Sequence, residues 1–107
     1  MAAIDLSAVN DFPHTHRVAL SGTVNTQQAF TIPARATQIQ ILFEANAGKV
    51  ITNGGADGVV LTTEHYIEVP ASSLYYHDLP RSKGEHTITV ASATASTVVS
   101  VQVGERD

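Results

Sequence analysis

The chain contains no cysteine and no tryptophan, and charged residues make up only 15% of it, against roughly 25% in ordinary domains. Without cysteine there is neither a disulfide framework nor a thiolate metal site. The six Lys and Arg residues form no run and the net charge is −4. That argues against nucleic acid as a partner, because neutralising phosphates requires clustered cations. The opening MAAIDLSAVND holds two acids and no apolar block, so it reads as neither a signal peptide nor a membrane span, and no membrane partner is expected. Gly-x-Ser-x-Gly, Ser-x-x-Lys and a phosphate-cradling Gly loop are all missing. With no acid, base and nucleophile set, the expectation is a protein that is not an enzyme and needs no cofactor.

What the chain does have is alternation. At 107 residues and 43% hydrophobic it is one domain, long enough to close a single core. Apolar residues recur at period two and no segment sustains a helical period. QIQILFEAN sets Ile39, Ile41 and Phe43 against Gln38, Gln40 and Glu44, with Leu42 as the apolar exception. HTHRVAL, AFTIP, EHYIEVP, SLYYHDLP, HTITVA and TVVSVQV alternate in the same way. Three of the runs close on Pro33, Pro70 and Pro80, where a missing N–H ends a ladder or marks an edge. Turn signals recur at roughly 8–12-residue spacing, the rhythm of antiparallel sandwiches and barrels. The predicted fold is all-β: a two-sheet antiparallel β-sandwich of jelly-roll type. Residues 14–107 form the sandwich and residues 1–13 an N-terminal arm. Ile39, Ile41, Phe43, Ile67, Val69, Ile88, Val90, Val99 and Val101 are expected to be buried.

The stretch HTITVASATASTVVSVQV, residues 86–103, has no charge, no Gly and no Pro. Its Thr and Val are stiff at χ1 and suit a pleat. An isolated edge would carry Lys or Glu against unwanted pairing. The uncharged strand at 96–103 is therefore read as an edge that abuts a neighbour. Phe12, an apolar anchor ahead of the first strand, and the outward Val98, Ser100 and Gln102 are the candidate partner-binding residues.

The sharpest chemical candidate is His14-Thr15-His16, whose two imidazoles at i and i+2 point the same way and could reach one ion. Two ligands are too few, so a third must come from elsewhere or from another copy. The alternative is that both rings cap the rim of the core. His65, His77 and His86 fall in predicted strands without a shared site. Glu64 and Glu68 share a face but lie ~13 Å apart, too far for a glycosidase pair. NGGADG offers only Asn53 and Asp57 as side-chain ligands and reads as a turn rather than a calcium loop. LPRSKG at 79–84 reads as a solvated basic turn.

In order, TIPARATQIQILFEANAGKVIT, a Gly-rich turn, EVPAS and DLPRSKGEHTITVASATASTVVSVQVGE resemble small β-sandwich structural proteins of tailed-phage virions. The likeness is one of pattern over roughly residues 18–105, and carries over no functional residue. It implies a virion structural role, either capsid decoration (cement) or the head–tail neck. Assembly would take place in the host cytoplasm, with a major capsid or neck protein, or copies of the chain itself, as partners. Two other classes stay open. One is a receptor- or carbohydrate-binding module, for which Tyr66, Tyr75 and Tyr76 are the aromatic candidates. The other is a metal-binding cupin-type enzyme.

Overall fold

The computed structural model describes residues 4–6, 14–34, 36–52, 55–62, 65–79 and 86–104. Among them are nine strands and no helix: β1 Ile4–Asp5, β2 His14–Ala19, β3 Gln28–Ile32, β4 Gln38–Phe43, β5 Gly48–Ile51, β6 Ile67–Val69, β7 Ser73–Asp78, β8 His86–Ala91 and β9 Val98–Gly104. They make two sheets, ordered β1-β3-β8-β5-β6 and β2-β9-β4-β7.

The topology is that of one long hairpin wrapped on itself. β2 pairs with β9, β3 with β8, β4 with β7 and β5 with β6, all antiparallel. The nested pairs fall alternately in the two sheets, the last joining β5–β6 to the sheet of β3–β8. This is the jelly-roll winding that the sequence pattern predicts. The two sheets then bury their period-two apolar faces against each other. The four-stranded sheet contributes Ile39, Ile41, Phe43, Val99, Val101 and Val103, and the five-stranded sheet Phe30, Ile32, Val50, Ile88 and Val90. Eight of the nine residues expected in the core are there.

Ile67 is the exception, at 46% exposed. Its parity is right, since it stands opposite buried Val50, but β6 is three residues long and ends its sheet. Beyond it the sandwich opens into a cleft of about 420 Å³ lined by Val50, Thr52, His65, Tyr66 and Ile67. Alternation places a side chain on a face, and only neighbours on both sides bury it. His65, expected in this strand, lies in the loop ahead of it.

Two further expectations are corrected. β9 is not an edge: it runs between β2 and β4 and pairs with both along its length. Its lack of charge needs no outside neighbour, because an interior strand has no free edge to protect. Residues 4–6, expected in an arm outside the sandwich, belong to it. Ile4 and Asp5 pair in parallel with Phe30 and Thr31, the Leu6 N–H donates to the Thr31 carbonyl at 2.8 Å, and Leu6 is 2% exposed within the core. Phe12 and the turn at 80–84 lie outside the described residues.

Candidate functional site

The two outward sheet faces are treated very differently by the chain. On the five-stranded sheet the outward positions Ala29, Ile51, Thr89 and Ala91 are buried, with a loop of the chain lying over Ala29 and Thr89, while outward Thr87 and Glu68 stay exposed. The Gln27 N–H donates to the Val59 carbonyl at 3.0 Å, Gly58 N–H to the Gln27 carbonyl at 2.9 Å, and Leu61 N–H to the Asn25 carbonyl at 2.7 Å. Gln27 Oε1 accepts from Ala56 N–H and from the Thr89 hydroxyl, at 3.1 and 3.0 Å. Asp57 Oδ1 accepts the Ala29 N–H at 2.9 Å, which gives the acid of NGGADG a backbone to bind. Gly55 lies so close over this face that a Cβ would stand 2.0 Å from Thr89 Oγ1.

The outward face of the four-stranded sheet carries no such cover among the described residues. Register lays its side chains in cross-strand rows. One row reads Thr15, Gln102, Gln40, Tyr76, and the next Arg17, Ser100, Leu42, Leu74. Leu74 is 56% and Tyr76 43% exposed, and Leu42, Val98, Ser100 and Gln102 are half-buried. The Tyr76 hydroxyl sits 2.9 Å from Gln38 Oε1 and 2.8 Å from Asp78 Oδ1, which fixes the direction of the exposed ring. Arg17 donates from Nε and Nη2 to the two carboxylate oxygens of Glu44, at 2.8 and 3.1 Å. Ser100 Oγ donates to the same carboxylate at 3.0 Å. This bidentate pair strides over β9 and ties β2 to the end of β4. The hydrogen bonds from Arg17 and then Ser100 hold the Glu44 carboxyl below the usual carboxylate range, and the hydrogen bond to Glu44 raises Arg17.

Val98, Ser100 and Gln102, the expected partner-binding residues, therefore stand together on the face left uncovered by the described residues, on one of its two interior strands. Phe12 is outside the described residues, and so is the side chain of His14. The backbone of His14 is in register with Val103. His16 is half-buried and lies opposite Val101, on the core side. Among the described residues no three His, Cys, Asp or Glu come together as a metal site. Tyr75 and Tyr76 take opposite faces. Tyr75 turns inward, its hydroxyl 3.2 Å from His77 Nδ1 and its ring stacked on that imidazole at 6.0 Å, and burial raises its phenol.

Arg17, Glu44, Leu42 and Leu74, with Thr15 and Gln40 of the same rows, were not singled out from sequence as contacts. Leu42 carries a visible signal, an apolar residue on the polar side of an alternating strand. The pairing of Arg17 with Glu44, 27 positions apart, follows from register alone. Comparison with protein-family models, curated proteins and solved structures finds no match.

Proposed function

We propose that this chain is a non-enzymatic structural protein of a tailed-phage virion, a capsid decoration protein that docks on the head through the outward face of its four-stranded sheet. The jelly roll by itself does not choose, since capsid, lectin and cupin domains all use it. The observation that carries the reading is the asymmetry of the two sheets. The chain covers part of one outer face with its own loop, and the described residues leave the other open and mixed: Leu42, Leu74, Tyr76 and Val98 set among Thr, Ser and Gln. Leu42, Leu74 and Tyr76 lie towards the β7 edge with Gln40, Gln102 and Ser100 beside them on the interior strands, and a face of such mixed polarity suits an extended contact. The pattern-level resemblance to virion proteins supplies the kind of partner, a capsid shell.

The test is co-sedimentation with phage heads lacking this protein. The wild-type chain is expected to pellet with the heads, and Leu74→Lys with Tyr76→Ser to stay in the supernatant while folded by circular dichroism. A double variant that pellets like wild type would defeat the assignment of this face.

One observation favours a second reading, a carbohydrate-binding module on the same face. Tyr76 is exposed with its ring pinned by its hydroxyl, beside the neutral amides of Gln40 and Gln102, and a fixed aromatic loses little entropy on stacking. Retarded migration through gels containing neutral polysaccharide, abolished by Tyr76→Ser, would favour this reading over the capsid one.

A further inference from the structure

Among the described residues the two sheets end in four strands: β1 and β6 in one, β2 and β7 in the other. Natural edge strands are kept short, charged or broken by proline to prevent pairing with other chains. β1 is two residues long, β6 is three and carries Glu68, and β7 is preceded by Pro70 and ends at Asp78. β2 is six residues long, HTHRVA, and its one strongly charged side chain is turned away from the edge. The Arg17 guanidinium reaches back over β9 to Glu44, so the charge that would guard the edge is both displaced and neutralised.

The ladder fixes which backbone groups this edge offers. The Leu20 N–H donates to the Thr97 carbonyl, in register with His16–Val101 and Val18–Val99. Bonding to β9 therefore falls on the even positions of β2. The N–H and C=O groups of Thr15, Arg17 and Ala19 point outward from the sheet, and all three residues are exposed.

We propose that β2 pairs antiparallel with β2 of a second copy about a two-fold axis at Arg17, joining two four-stranded sheets into one of eight. In this register Arg17 lies opposite Arg17 and Thr15 opposite Ala19, odd against odd. The outward groups then meet as about six backbone hydrogen bonds. An isologous contact of this kind closes at the dimer. Charge selects the occupant. Two arginines facing each other across a strand pair would ordinarily repel. Here each is matched by its own Glu44, on the far side of β9 from the axis, and Thr15 and Ala19 are small enough to pass. The pairing doubles the width of the uncovered face, but its test is separate: a chain that stays monomeric leaves the docking reading untouched.

The experiment is sedimentation velocity on the full chain up to about 100 µM, the range in which a contact this small associates. The wild type should dimerise with rising concentration. Ala19→Lys and, independently, Thr15→Lys should sediment as folded monomers. Glu44→Gln strips the neutralising charge and should weaken the dimer about fivefold, and adding Arg17→Thr should restore it. A wild type that stays monomeric throughout would overturn the proposal, as would a dimer unaffected by both lysine variants or by Glu44→Gln.

Discussion

Gly48 shows how much of this fold rests on single side chains. It opens β5 opposite Val69, and the ring of Phe43 fills the space a side chain would take, with a Cβ there meeting Phe43 Cε1 at 1.8 Å. Phe43 is fully buried at the end of β4, so neither group can retreat. Gly48→Ala is expected to cost about 3 kcal/mol through overpacking, measured as a lower urea midpoint with the slope unchanged. A loss under about 0.5 kcal/mol, the range of an indifferent surface change, would contradict the packing described. Glu44 makes a pH-dependent contribution whose sign follows from its lowered pKa. A carboxyl depressed in the folded state adds stability above its ordinary value of 4.5, and that contribution disappears as pH falls through the folded value. The stability gap between wild type and Glu44→Gln should therefore be widest near neutral pH and close in acid below 4.5. A gap that persists unchanged in acid would remove the ion pair from the account.

At the scale of elements, β1 makes the sharpest claim. Two residues of parallel pairing and one buried leucine tie the start of the chain to β3. Leu6→Ala should cost about 2–4 kcal/mol, the range for a core leucine that leaves a cavity. A chain whose thermal midpoint is indifferent to this change would return residues 4–6 to the role of a free arm. The same element shows where reading the sequence stops. Strands β3, β4, β7, β8 and β9 were legible because a sheet buried on one face imposes period two, and prolines and glycines mark its ends. Ile4–Leu6 are too few to display a period, so pairing with Phe30 and Thr31 leaves no mark in the sequence. The absence of charge in β9 was legible too, but had two causes. An edge abutting a neighbour and a strand inside its own sheet both dispense with Lys and Glu, and only the nesting of β9 between β2 and β4 decides between them. Ile67 failed for a related reason, since position in the sheet order is a long-range property. Of the candidate site, the outward parity of Val98, Ser100 and Gln102 was legible. That residues 55–61 cover part of the other sheet's outer face, and that no described residue covers this one, was not.

At the scale of the whole molecule, the jelly roll carries part of one outer face under its own loop, while the described residues leave the other open. Exposed apolar side chains occur on both sides, with Val24, Val59 and Val60 on the loops and Leu74 and Tyr76 on the open sheet, so they serve as internal controls for each other. The most direct measurement is hydroxyl-radical footprinting of the chain free and bound to phage heads. Leu74 and Tyr76 are expected to be protected on the particle, while Val59 and Val60 oxidise as in the free protein. Protection of Val59 and Val60 with Leu74 and Tyr76 still reactive would contradict the docking reading.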